Sequence, residues 1–247
     1  MRGCARAGAG LRAGARQGGT IEAIIHGSSS PPAQEAVITT SKSQSWAYAE
    51  EFAHEDEATA AARSRARELG VPAVSAGVGS ALRAIARMVS ARTVAEVGTG
   101  AGVSGLWLLA GMGTDGVLTT IDAEPEHQRA ARESFTAAGL KPARTRLIGG
   151  RAREVLPRLA DGAYDLVHLD GDPDSSLDDL DQAVKLLRPG GVLAVHAALW
   201  RDRVADPARR DEDTVAMREV GKSIRADERL VSTLIPAGDG LLVGVRV

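Results

Sequence analysis

The stretch EVGTGAGVSG, Glu96 to Gly105, follows the apolar run TVA and leads into LWLLAG. These flanks predict a strand at 93–97 and a helix at 103–110. A glycine-dense turn between them lets the backbone approach a ligand closely, because no Cβ intervenes and positive φ costs glycine little. The turn therefore marks a ligand site at the first strand of an α/β fold.

The glycine spacing fits two classes of cofactor. Gly100, Gly102 and Gly105 satisfy the G-x-G-x-x-G pattern of dinucleotide-binding proteins. Glu96, Gly98 and the next two glycines satisfy the acidic-x-G-x-G-x-G turn of S-adenosylmethionine enzymes. Gly98 directly follows the apolar strand, whereas Gly100 lies two residues further along, so the methyl-donor register fits the strand better.

Further strands and helices alternate after the turn. Strands are expected at 117–122, 144–149, 164–170 and 190–197, and helices near 126–138, 155–159, 177–187 and 214–225. Crossovers of this length require a mainly parallel sheet. The final runs LVSTLI and LLVGVRV are separated only by PAGDG, which is hairpin length and makes these strands antiparallel. The sequence predicts a doubly wound, Rossmann-like methyltransferase sheet with an antiparallel C-terminal hairpin strand, whereas dinucleotide folds continue in parallel.

Composition limits the other possibilities. We expect residues 1–42 to be a disordered leader and linker, and residues 43–247 to form the methyltransferase domain with N-terminal helices. The 32 acidic and 30 basic residues nearly balance, which disfavours general nucleic-acid binding. No apolar run is long enough for a membrane span. Cys4 is the only cysteine, which fits the cytoplasm.

Two acidic residues lie beside the glycine turn. Asp122 ends the second strand, where a carboxylate can accept both ribose hydroxyls of either cofactor, or can instead cap the next helix. Glu96 lies inside an apolar strand, where an unpartnered carboxylate is costly, so it is expected to meet a cation or backbone donors. If the partner is a cation, it is either the methionine ammonium of the cofactor or an arginine in a buried structural pair.

The fourth and fifth strands bring further polar residues to the same edge. Asp170 and Asp172 follow the fourth strand in HLDGDP, where open α/β folds bind ligands. They suit a hard metal ion or a cationic methyl donor, or alternatively an ordinary helix-capping loop. His196 ends the fifth strand and is a candidate general base, whereas His168 is interpreted as a structural residue.

From about Ser43 onward the chain resembles the bacterial O-methyltransferases of the catechol and caffeoyl-coenzyme A type. The segments that carry the resemblance are EVGTGAGVSGLWLLAGM, GVLTTIDAEPEHQRAAR, YDLVHLDGDP, LWRDRVADPARRDEDT and DERLVSTLIPAGDGLLVGV. The resemblance implies a Rossmann-like fold, S-adenosylmethionine as methyl donor, a homodimer and often a divalent metal that binds a vicinal diol.

The same resemblance assigns cofactor-binding residues by position. From the methionine end to the adenine end they are Glu96, Gly98, Thr99, Ser104, Asp122, Ala123, Arg151 and Ala152. Val74, before the second helix, and Asp172 are further cofactor contacts. Asp170 matches the metal or acceptor aspartate, and is predicted to be both a cofactor-binding and a catalytic residue.

Two departures argue against magnesium-dependent catechol chemistry, though not against cofactor binding. Metal-dependent members have Asp-Asn after the fifth strand, where this chain has His196 and Ala197, and alanine cannot ligate. Many members place a candidate base, a lysine, where this chain has Pro173. We therefore predict no protein metal ligands and leave use of a divalent metal open. His196 becomes the catalytic candidate, and Trp200 is either a wall of the acceptor pocket or a dimer anchor.

The predicted function is S-adenosylmethionine-dependent methyl transfer to a hydroxyl of a small phenolic or catechol-like molecule. Alignment of that oxygen with the methyl carbon supplies most of the acceleration. Three alternatives stay open: a protein that binds the cofactor without catalysis, a methyltransferase of hydroxyuridine in tRNA, and an NAD-dependent oxidoreductase. The near-neutral charge argues weakly against the second, and the terminal hairpin against the third.

Overall fold

A computed structural model describes the backbone of residues 33–247 and the side chains from residue 42 onward, except those of residues 174 and 175. Residues 1–32 of the predicted leader lie outside the described residues. A compact unit spans Thr40–Val247, and the fold given below is that of this unit. Residues 33–42, expected in the linker, are helical instead. Alanine, glutamine and glutamate at the start of this segment favour a helix.

The described helices are α1 Ala33–Glu51, α2 Glu57–Glu68, α3 Ala76–Met88, α4 Val103–Gly111, α5 Pro125–Ala137, α6 Ala152–Val155, α7 Pro173–Leu186 and α8 Glu212–Ala226. The strands are β1 Thr93–Val97, β2 Val117–Asp122, β3 Thr145–Gly149, β4 Tyr164–Leu169, β5 Leu187–Val195, β6 Leu230–Ile235 and β7 Leu241–Arg246. Within the described range, no helix has the length and apolar character needed to cross a membrane.

The seven strands form one sheet in the order β3-β2-β1-β4-β5-β7-β6. Strands β1 to β5 pair in parallel, and β7 lies antiparallel between β5 and β6. The predicted fold class is therefore confirmed, including the antiparallel hairpin. The short connection between β6 and β7 forces this reversal, because a parallel pairing needs a crossover of a dozen residues or more.

The sheet is covered on both faces, so its central strands are largely buried and mainly apolar. On β1, Val94 belongs to the core beneath α3 and α4, and Ala95 to the core beneath α7 and α8. Both residues are completely buried. The helical layers leave one edge of the sheet, at the carboxyl ends of the parallel strands, free to carry a site.

Glu50, in the last turn of α1, joins three segments near this edge. Its carboxylate accepts the backbone N–H of Gly77 in α3 at 2.9 Å and that of Gly238, in the β6–β7 turn, at 2.7 Å. A Cβ at Gly77 would lie 2.5 Å from a Glu50 oxygen, so only glycine permits this approach. Glu50 therefore fixes the end of α1 against both α3 and the terminal hairpin.

We expect Glu50→Gln to lower the free energy of unfolding by about 1–3 kcal/mol, because the amide keeps one acceptor oxygen and turns a donor towards the second N–H. Urea unfolding measures the change. Glu51→Gln makes the same charge change at the exposed neighbouring residue and should leave stability within about 0.5 kcal/mol of the parent. Equal effects of the two substitutions would contradict the role given to Glu50.

Candidate active site

The polar residues predicted at the strand ends meet at one edge of the sheet. The backbone N–H groups of Gly98, Asp170 and His196 each donate to a carbonyl of the neighbouring parallel strand at 2.9 Å. The parallel ladder thus continues one residue beyond β1, β4 and β5. This pairing holds the first residue after each strand in register with the others.

A cavity of about 580 Å³ opens at this edge. Of the predicted site residues, it is lined by Val74, Gly98, Thr99, Ser104, Asp122, Asp170, Asp172, His196 and Trp200. Four predicted cofactor residues, Glu96, Ala123, Arg151 and Ala152, are not among the described residues that line it. Their assignment to the cofactor stays a prediction.

The glycine turn forms the floor of the cavity. Gly98, Gly100 and Gly102 have φ values of +90°, +48° and +87°, which residues other than glycine rarely adopt. A Cβ on Gly98 would lie 2.2 Å from the carbonyl oxygen of Asp170. The absence of a side chain at Gly98 therefore permits the close approach of the glycine turn to the end of β4 at the base of the cavity.

Asp122 is tied to this turn from the end of β2. Its carboxylate accepts the N–H of Gly100 at 3.0 Å and that of Glu124 at 2.9 Å. The Nδ1 atom of His127 lies 3.1 Å from the same carboxylate. Asp122 thus lines the cavity and also bonds the residue before the next helix, although the N-terminus of that helix has no side-chain cap.

Glu96 is completely buried and lies beside its register partners, Thr120 on β2 and His168 on β4. Thr120 donates to one carboxylate oxygen at 2.7 Å, and the Nδ1 atom of His168 is 3.5 Å from the other. The partners of this carboxylate are therefore a hydroxyl and a histidine rather than an arginine. A further bond of 2.7 Å connects Thr120 to Thr99, so the network reaches the cavity wall.

His196 and Asp170 form a pair at the opposite end of the cavity from Asp122. The Nδ1 atom of His196 lies 2.6 Å from Oδ1 of Asp170. A carboxylate can only accept, so Nδ1 carries the proton and Nε2 is left as an acceptor. Burial lowers the pKa of His196, but the charge and hydrogen bond of Asp170 and the charge of Asp239 outweigh it and raise the pKa.

The donor set does not fit a divalent metal. Ala197 offers no ligand atom, and one oxygen of Asp170 is already bonded to His196. Within the described part of the chain, no group of three or more histidine, cysteine or acidic side chains is arranged to hold a metal ion.

Several lining residues were missed by the sequence analysis. They are Leu69 to Ala73, Glu124, His127, Arg201 and Asp239. His127 follows Asp122 by five residues, and this short spacing is a local signal that could have predicted their contact. Asp239 lies in the β6–β7 turn, far along the chain, and nothing local indicates that it reaches the cavity.

The sequence profile described as O-methyltransferase matches residues 46–247, which is most of the chain. This chain belongs to the O-methyltransferase family. The family assignment drawn from the sequence is thereby confirmed, as is membership in an enzyme family. The nicotinamide oxidoreductase alternative is excluded.

Similarity to individual proteins agrees with this assignment. The chain is 54% identical over 201 residues to "Probable O-methyltransferase Rv1220c" of Mycobacterium tuberculosis, covering 81% of this chain and 90% of the relative. A crystal structure from Corynebacterium glutamicum aligns with a TM-score of 0.76 and 34% identity, covering 87% of this chain and 97% of the other. The O-methyltransferase TomG from Streptomyces achromogenes, in complex with SAM, aligns with a TM-score of 0.72 and 30% identity, covering 79% and 92%.

Gly98→Ala should destabilise this O-methyltransferase by about 2 kcal/mol or more, because it combines a strained φ with a backbone clash. Gly139→Ala is the matched control, since Gly139 also has a positive φ, +69°, but no atom within 4 Å of an added Cβ. It should cost only about 1 kcal/mol. Urea unfolding compares the two, and equal losses would show that the approach of Asp170 to the turn is unimportant.

Proposed function

We propose that this O-methyltransferase binds S-adenosylmethionine along the glycine turn and methylates a hydroxyl of a small phenolic or catechol-like molecule, without a divalent metal. The observation that carries the proposal is the His196–Asp170 pair beside the turn, in the position where metal-dependent relatives have metal ligands. The cofactor half rests on Gly98, Thr99, Ser104 and Asp122, which line the cavity.

The fit of the cofactor follows from the shape and charge of the cavity floor. Gly98 and Gly100 present backbone without side chains to the cavity, and Asp122 places a carboxylate where ribose hydroxyls can donate to it. S-adenosylmethionine supplies a methyl group whose bond to sulfur breaks as the bond to the acceptor oxygen forms, leaving S-adenosylhomocysteine.

His196 removes the proton of the acceptor hydroxyl in this proposal. Its Nε2 atom is the free acceptor of the ring, because Nδ1 donates to Asp170. Asp170 holds the ring in this tautomer and stabilises the imidazolium that forms. The cavity aligns the acceptor oxygen with the methyl group, which supplies the larger part of the acceleration.

The proposal is tested by calorimetric titration of the full chain with S-adenosylhomocysteine in EDTA, followed by methyl-transfer assays with catechols and phenols in EDTA and in magnesium. We expect binding in EDTA, and transfer that changes less than twofold when magnesium is added. Absence of binding would overturn cofactor use. Binding without transfer would favour the non-catalytic alternative, and activity that requires magnesium would overturn the metal-free mechanism.

The raised pKa of His196 predicts the pH dependence of turnover. Protonated imidazole cannot accept a proton, so turnover should rise with pH as His196 is deprotonated, above the ordinary histidine pKa of 6.5. Asp170→Asn removes the charge that raises this pKa, so the rising limb should move to lower pH with a lower plateau.

His196→Ala should abolish this limb and lower turnover roughly 100-fold or more, while the dissociation constant for S-adenosylhomocysteine stays within twofold. Steady-state rates between pH 5 and 9 measure these effects. An unchanged limb in either variant would remove the pair from the mechanism.

We also infer that the enzyme is a homodimer. One tryptophan, one tyrosine and one phenylalanine, Trp46, Tyr48 and Phe52, are 56%, 71% and 75% exposed at the end of α1. Clustered exposed aromatic side chains are typical of interfaces.

Sedimentation velocity should give a dimer, and Phe52→Ser should shift it towards monomer. Met88→Ser, at an exposed apolar residue on α3 (73% exposed), should not. A monomeric parent chain, or equal effects of both changes, would contradict the inferred interface.

A further inference from the structure

The acceptor part of the cavity lies on the β4–β5 side of the glycine turn. Asp122 ends β2, on one side of β1, whereas Asp170 and His196 follow β4 and β5, on the other side. The loop after His196 and the β6–β7 turn complete this side through Trp200, Arg201 and Asp239. A molecule whose hydroxyl faces His196 therefore meets these residues next.

Arg201 carries a positive charge in a cavity whose other charged lining residues are mainly acidic. The acidic residues along the cavity wall are Asp122, Glu124, Asp170, Asp172 and Asp239. Arg201 is the only arginine or lysine among the described residues of the lining. The ion pairs found in the described part of the chain do not include it. Its guanidinium carbon instead lies 5.7 Å from the ring centroid of Trp200.

The backbone that presents Arg201 is strained and held in place. Trp200, Arg201 and Asp202 have consecutive φ values of +45°, +55° and +61°, although none is glycine. Such residues cost of order 1–3 kcal/mol each and are concentrated at ligand clamps and active sites. The cost is opposed by bonds to the terminal hairpin.

Asp239 supplies two of those bonds. Its carbonyl oxygen accepts the N–H of Leu199 at 2.8 Å, and its side chain accepts the N–H of Arg201. The carbonyl of Gly240 accepts the N–H of Ala198 at 3.1 Å. The hairpin thus fixes the loop so that Trp200 and Arg201 both line the cavity.

The guanidinium of Arg201 and the indole of Trp200 together favour one class of ligand. A guanidinium binds a planar carboxylate through two parallel hydrogen bonds, and the face of a tryptophan packs on an aromatic ring. The neighbouring carboxylates of Asp170 and Asp239 repel anions, and they repel a phosphate dianion about twice as strongly as a singly charged carboxylate. A carboxylate on an aromatic scaffold is therefore the anion that this wall accepts best.

We propose that the acceptor is an aromatic hydroxy acid, whose carboxylate binds Arg201 while its ring packs on Trp200 and its hydroxyl faces His196. This inference rests on the proposed methyl transfer to a small hydroxylated molecule and specifies its substrate class. Arg201 is then a specificity-determining residue that does not take part in proton or methyl transfer.

The test compares 3,4-dihydroxybenzoate with 3,4-dihydroxybenzamide, in which a neutral amide of similar shape replaces the carboxylate, by calorimetric titration of the full chain with and without S-adenosylhomocysteine. The benzoate should bind at least tenfold more tightly than the amide. In Arg201→Gln this preference should fall to twofold or less, with affinity for S-adenosylhomocysteine unchanged. Arg201→Lys should keep a reduced preference, and shows the effect of charge if the glutamine variant fails to fold.

Arg210→Gln is the matched control, since Arg210 lies exposed in the same connection and should keep the full preference. Equal binding of benzoate and amide, binding of neither, or a preference that survives in Arg201→Gln would overturn the inference. Tighter binding of phenyl phosphate than of benzoate, measured with the same protein, would also overturn it. Loss of S-adenosylhomocysteine binding or of methyl transfer would instead count against the proposed function, so the two failures are distinguishable.

Discussion

The site depends on how closely the ends of β1 and β4 approach each other. The backbone of Gly98 passes so near the carbonyl of Asp170 that an added Cβ would lie 2.2 Å from it. This approach holds the glycine turn and the catalytic candidate Asp170 in one rigid arrangement, in line with His196 on the next strand. The shape of the glycine turn and the position of Asp170 therefore both depend on a single residue without a side chain, Gly98.

Two of the three histidine–carboxylate pairs in the described part of the chain have contrasting surroundings. Glu96 and His168 are both completely enclosed within the sheet, where register alone brings them together with Thr120. His196 and Asp170 have side chains 12% and 22% exposed at the edge of the sheet, where a ligand can reach them. The first pair is therefore enclosed inside the sheet, whereas the second is open to a ligand. The difference depends on where each pair lies relative to the ends of the strands.

The sequence predicted the parts of the site that depend on local spacing. The strand ends at Asp122, Asp170 and His196 follow from apolar runs with clear limits, because parallel strands present their carboxyl ends at one edge. The burial of Glu96 away from the cavity was not predicted, because the motif gives its place in the chain but not the direction of its side chain. The contribution of Asp239 depends on hairpin packing between distant segments, which a single sequence does not reveal.

The contact of Glu50 with two backbone amides has a consequence for the exchange of hydrogen with solvent. Amides in tight turns such as that around Gly238 usually exchange fast, because local opening is easy. Here the amide is bonded to a carboxylate that also holds the amide of Gly77 in α3. Both amides become accessible together when the end of α1 detaches, so the exchange rate of a residue in the terminal hairpin reports on the docking of a helix 188 residues earlier in the chain.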